Sequence, residues 1–172
     1  MNRQSVSPDK LNLSPCRLWA EQWLVLACGD FAKRRYNAMA VGWGSLGTMW
    51  SKPFAQVVVR PTRYTFEFME QYDTFTLSAF PEKHRQAIQI LGSRSGRDGD
   101  KIAAAGLTPI AATRVAAPGF AEAELTLECR KMYWDDLDPR QFLDATIAKN
   151  YPQKDYHRVY FGEIVAVTQT GR

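Results

Sequence analysis

Residues 22–28 (QWLVLAC) form an unbroken apolar run that stops at the turn pair Gly29-Asp30, the pattern of a buried strand. Residues 37–44 (NAMAVGWG) are small and apolar and read as a second strand, after which Gly44, Gly47 and Pro53 break the pattern. Residues 54–60 (FAQVVVR) are β-branched and form a third. Pro61 interrupts it, Thr62 caps a helix, and Tyr64, Phe68, Met69 and Tyr72 then fall on one helical face. A strand over 74–80 leads to Pro81-Glu82, which opens a helix with Ala87, Ile88 and Leu91 inward and Gly92 at its end. The loop 93–99 feeds a short helix over 100–105, stopped by Gly106. Residues 122–133 alternate: Ala123, Leu125, Leu127 and Cys129 face one way, Glu124, Thr126, Glu128 and Arg130 the other. Asp138-Pro139 predicts a capped helix running to about residue 149. The last strand covers 157–168, where Gly162 marks a bulge or a close approach.

Six or more strands with a few short helices between them predict a mainly β fold, an antiparallel barrel with helical excursions, rather than a βαβ sheet. No Gly-x-Gly-x-x-Gly follows a strand, so a Rossmann site has no support. Residues 1–18 read as an N-terminal arm and 19–172 as one domain, a division that a chain of 172 residues allows.

Charge and composition narrow the function. A formal charge of +4 attracts phosphates but lacks the density of a nucleic-acid wrapper, which counts against a basic barrel that stacks bases on its aromatics. The apolar runs are too short to span a membrane, and residues 1–14 lack a secretory signal core, so a cytoplasmic protein is expected. Three cysteines without a Cys-x-x-Cys pair, and only two histidines, argue against a disulfide framework and a metal site. The cysteines read as reduced and structural.

Two segments carry anion chemistry. Arg60, Arg63, Tyr64 and Thr65 lie where the third strand runs into its helix, so guanidinium forks stand beside free N–H groups. Ser95, Gly96 and Lys101 belong to a cationic glycine-bearing loop that also opens a helix, although Asp98 and Asp100 nearly cancel its charge and would suit a plain surface loop. Two such devices suggest an anionic ligand with an extended tail. Trp43, Gly44, Ser45, Leu46 and Trp50 belong to a glycine-rich stretch between two indoles, either a platform for a flat ring or a tight hairpin with packed tryptophans. His157, at the start of the last strand, is either a residue beside a reaction centre or a strand-end histidine. Asp135, Asp136 and Asp138 read as helix capping. No nucleophile stands beside a base.

Five stretches in order, NAMAVGWG, KPFAQVVVRPTRYT, SGRDGDK followed by AGLTP, LECR, and HRVYFGEIVAV, resemble the flavin reductase-like family of FMN-binding split β-barrels, which includes the flavoredoxins. The resemblance spans about residues 23–167. It implies FMN as cofactor, a homodimer with flavin near the subunit interface, and hydride transfer from NADH or NADPH to flavin. The alternative it implies is a flavoredoxin-like electron carrier without nicotinamide turnover, and either would serve a downstream electron acceptor. In this reading Arg60, Arg63, Tyr64, Thr65, Ser95, Gly96 and Lys101 hold the phosphate. Trp43 to Leu46 and Trp50 lie along the flavin ring, with Phe80 nearby. His157 contacts the nicotinamide. The family's Gly-Asp-His is here Asp155-Tyr156-His157, which keeps only the histidine. The insertion at 133–156 is longer than in many relatives and is expected to cover the flavin or narrow substrate access.

Overall fold

The computed structural model describes residues 3–170. In chain order the strands are β1 (Arg3–Ser5), β2 (Leu24–Asp30), β3 (Arg35–Val41), β4 (Gly44–Met49), β5 (Lys52–Val59), β6 (Thr74–Ala79), β7 (Pro109–Ile110), β8 (Gly119–Phe120), β9 (Leu125–Asp136) and β10 (Arg158–Thr170). The helices are α1 (Tyr64–Gln71), α2 (Arg85–Ser93) and α3 (Lys101–Ala104). Eight strands form one antiparallel sheet in the order β3-β2-β6-β9-β10-β5-β4, with β1 added to β10.

The sheet curls on itself. Leu24, Leu26 and Cys28 from one side of the sheet share a core with Ala55, Val57 and Val59 from the other, along with Phe75, Leu127 and Tyr160. The alternate residues of β2, Val25 and Ala27, pack outward under Ile88 and Leu91 of α2 and Ile102 of α3. A strand buried on both faces needs no polar alternation, which explains the continuous apolar run. The alternation in β9 is real, but the middle of its polar face is also covered, while Arg130 stays exposed. Thr126 and Glu128 are buried, and the Glu128 carboxylate accepts from the backbone N–H groups of Thr113 and Arg114.

Gly162 serves both expected purposes. The β9–β10 register shifts between Phe161 and Gly162, and a Cβ there would stand 2.6 Å from the Phe75 ring and 2.9 Å from Cys129 Cβ. The expected N-terminal arm lies against the sheet: β1 pairs with the end of β10, and Leu18 is buried.

Three expectations need correcting. The stretch after Asp138 is not an α-helix but two 3₁₀ turns, Pro139–Gln141 and Ala145–Asn150. Asp138 and Asp144 each cap their own turn, so the chain is restarted every few residues and no amphipathic run forms. Asp135 and Asp136 are not caps; they end β9, and Asp136 makes a paired contact with Arg158. Gly92 does not end its helix either. It sits in the last turn, where a Cβ would meet Ala40 Cβ at 3.2 Å.

Replacing Gly162 with Ala is expected to cost about 1–3 kcal/mol by overpacking against Phe75. Urea unfolding of the variant checks this, and an unchanged midpoint would contradict the packing.

Candidate functional site

Three segments meet on one side of the curled sheet: β3, the start of α1, and the loop between α2 and α3. Asn37 of β3, almost fully buried, donates from Nδ2 to Thr65 Oγ1 at 2.8 Å and so ties the strand to the helix. Gly96 closes the junction from the loop. A Cβ on it would lie 2.4 Å from Asn37 Oδ1 and 2.9 Å from the Tyr64 ring, so only glycine lets this backbone approach.

The junction leaves a small cavity of about 120 Å³ lined by Arg63, Tyr64, Thr65, Arg94, Ser95 and Lys101, among others. Its cations lack carboxylate partners among the described residues. Lys101 is buried, and its Nζ donates to two neutral acceptors, Leu91 O at 3.0 Å and Arg94 O at 3.2 Å. Burial, and then the charge of Arg63, push its ammonium down to about 8. Among the described residues the Arg63 guanidinium makes one hydrogen bond, a long one to Gly92 O at 3.4 Å. Ser95 Oγ accepts from the Arg97 N–H. Cations kept without a counter-charge, beside the first turn of α1, fit a phosphate group.

A second cavity of about 320 Å³ adjoins the first and shares Met39 and Arg63 with it. Its walls are mainly apolar: Trp23, Val41, Trp43 and Val58, with backbone at Gly42. Trp43 is half exposed and its ring lies 5.2 Å from that of His157, which also lines the cavity. His157 is buried, and burial, reinforced by Arg60, pushes its imidazole down to about 4. The ring is therefore neutral at pH 7.

Arg60 shares the apolar cavity with Arg63 but does not line the cationic one. It pairs with Asp155 at 2.7 Å and donates to Asn150 O at 2.7 Å, with its guanidinium over the Tyr151 ring. It anchors the 137–156 excursion to the end of β5.

Gly44, Ser45 and Leu46 belong to β4 rather than to a loop, so the hairpin is observed, but Trp43 and Trp50 at its ends are each about half exposed and not packed in the core as that alternative expects. Gly44 accommodates the Trp19 ring, and Ser45 donates to Gln56 Oε1. Leu46 packs on the barrel core. Trp50 and Ser51 both have positive φ (52° and 58°) and form the two-residue turn between β4 and β5. That places the six residues of β4, roughly 20 Å of strand, between Trp43 and Trp50. Phe80 is buried beneath α2 against Phe120 and does not line either cavity.

Two lining residues were not singled out as site residues: Met39 stands inside the NAMA strand, and Arg94 directly precedes the Ser95-Gly96 pair. Trp23 reaches the cavity through a φ of 61°, which no sequence pattern announces.

The family model described as the flavin reductase like domain matches residues 20–171. No curated protein matches the chain by sequence. Among solved structures, an FMN-binding domain of a flavin reductases-like enzyme from Shewanella baltica is 20% identical, with 98% of this chain and 77% of that one covered and a TM-score of 0.70. Flavoredoxin of Desulfovibrio vulgaris is 22% identical over 86% and 69% of the two chains, with a TM-score of 0.67. An NADH:FAD oxidoreductase of Streptomyces globisporus is 15% identical over 87% and 75%, with a TM-score of 0.64.

Sulfate, whose charge is constant from pH 6 to 10, tests the cationic pocket. Lys101 is charged below about pH 8 and neutral above it, so affinity is expected to fall as pH rises through and beyond that value. Between pH 7 and 9.5 the loss should be roughly tenfold. Lys101→Met should flatten the profile, and a profile with no slope in the parent protein would remove Lys101 from the site. Folding responds with the opposite sign: the cost of burying the ammonium is present below about pH 8 and fades as pH rises toward the ordinary lysine value, so stability rises where affinity falls.

Proposed function

Because the chain belongs to the flavin reductase like domain family, we propose that it binds FMN and transfers a hydride from NADH or NADPH to the flavin. The observation that carries this reading is that two neighbouring cavities share Met39 and Arg63 in their walls, one lined mainly by apolar side chains and the other by cations. The Shewanella and Desulfovibrio relatives support a flavin ligand, and the Streptomyces relative supports a reduced nicotinamide as donor.

Bound FMN would supply the two-electron chemistry itself. The chain's residues bind and orient. Arg63, Lys101, Ser95 and the N–H groups that open α1 hold the phosphate, and the close approach of Gly96 keeps that loop in place. Trp23, Val41 and Trp43 offer apolar surface to the flavin ring and exclude water. His157, neutral and beside Trp43, contacts the nicotinamide. Arg60 holds the 137–156 excursion over this end of the groove, a role distinct from phosphate capture. Leu46, Trp50 and Phe80 have no part in this groove within one copy of the chain.

Self-association belongs to the same proposal. Trp50, Tyr133 and Trp134 are each about half exposed, and Trp50, Tyr133 and Phe161 cluster with ring centroids 5.8–6.4 Å apart. An aromatic patch of this kind suits a subunit interface. The unpaired thiols of Cys16, Cys28 and Cys129 support a cytoplasmic setting. No helix among the described residues is long and apolar enough to cross a membrane.

Arg63→Ala is expected to weaken FMN binding roughly tenfold or more, the value of one charge-assisted phosphate contact. A flavin fluorescence titration measures it, and unchanged affinity would take Arg63 out of the site. Anaerobic NADH or NADPH should bleach the bound flavin promptly without any partner protein. Bound flavin that stays oxidised would instead favour the electron-carrier alternative. Sedimentation equilibrium should return twice the chain mass, and Trp50→Lys should shift the protein toward the monomer.

A further inference from the structure

The 137–156 excursion does more than cover the barrel end. It carries Tyr151, one of its few buried side chains, whose hydroxyl lies 2.8 Å from His157 Nδ1. Tyr151 is itself held from three sides. Its ring stacks on Phe142 at 5.9 Å, meets Tyr156 at 5.0 Å, and lies beneath the Arg60 guanidinium at 5.0 Å. Arg60 is in turn fixed by Asp155 and Asn150 O.

The direction of the Tyr151–His157 hydrogen bond follows from counting donors. Among the described residues the phenol has no acceptor other than Nδ1. If Nδ1 carried the proton, the phenol O–H would be left buried without a partner, a costly arrangement. The phenol therefore donates and Nδ1 accepts. A neutral imidazole then has its single proton on Nε2, which has no protein partner among the described residues. The ring lines the apolar cavity, so that N–H is the donor left for a ligand there.

We propose that Tyr151 is a positioning residue that fixes His157 as the neutral Nε2–H tautomer, so that the cavity presents a hydrogen-bond donor to a carbonyl-bearing ligand. A reduced nicotinamide, whose carboxamide oxygen accepts a hydrogen bond, is such a ligand. That assignment rests on the proposed hydride transfer; the tautomer does not.

The experiment is long-range ¹H–¹⁵N correlation NMR of the imidazoles at pH 7, with His84→Gln to identify the His157 signals. The parent protein should show an unprotonated Nδ1 and a protonated Nε2. A protonated Nδ1 would overturn the proposal without any variant being made. Tyr151→Phe removes only the hydroxyl and keeps the ring under Arg60 and against Phe142. It should turn the single tautomer into a mixture, and a spectrum that keeps Nε2–H alone would also overturn the assignment. In turnover the same variant should raise KM for the nicotinamide by roughly 3–10-fold with FMN affinity unchanged, the loss of one neutral hydrogen bond. An unchanged KM would refute the ligand role. Should the protein not oxidise NADH or NADPH at all, the hydride-transfer reading fails, while the NMR result still decides the tautomer.

Discussion

The groove depends on one crowded contact, the meeting of β3, α1 and the 93–99 loop at Asn37. The Asn37 amide is committed to Thr65, and the backbone at Gly96 comes within a distance that excludes any side chain. Loosening this contact would separate the cations from the helix start they share. Neither group is strong alone: a helix N-terminus offers partial charge and a few N–H groups, and a surface arginine is well solvated. Brought together at a junction of about 120 Å³, they have the charge and size that the proposed phosphate needs.

The same contact sets an opposition between folding and binding. Lys101 is buried against carbonyl oxygens rather than a carboxylate, so its charge is held at a cost to the empty protein. An arriving anion removes that cost. Arg60 shows the contrasting arrangement only three residues from Arg63. Arg60 is paired with Asp155, so its charge is already matched within the fold. The two arginines stand three positions apart in one motif, and their different surroundings arise from an acidic residue nearly a hundred positions later in the chain.

That separation explains what was legible in the sequence. Strands with an internal period were readable, as were Gly162 and the cationic loop, because each signal is local. Asp100 reads from sequence as the first residue of the short helix, and it instead caps α3 through the Ile102 and Ala103 N–H groups. The fate of Arg60 was not readable, nor was the burial of Phe80, since both depend on partners distant in sequence. The 138–149 stretch failed for a different reason. Proline after aspartate signals a helix start, but a second aspartate cap six residues later restarts the chain before a helix can propagate. The 43–50 segment kept two readings open because glycines serve a hairpin and a ring platform equally well. Its resolution came from two non-glycine residues with positive φ, which composition does not forecast.

The cysteines carry a practical consequence. Cys28 and Cys129 flank Phe75 across neighbouring strands, and burial pushes both thiols up, Cys28 to about 12. Thiolate is the reactive form, so electrophiles have nothing to attack at either position while the barrel is folded. Cys16 is exposed, in the segment that leads from β1 toward β2. The wild-type sequence thus already offers a one-dye protein: a maleimide fluorophore would attach at a single place, and the appearance of additional labelling would time the opening of the core.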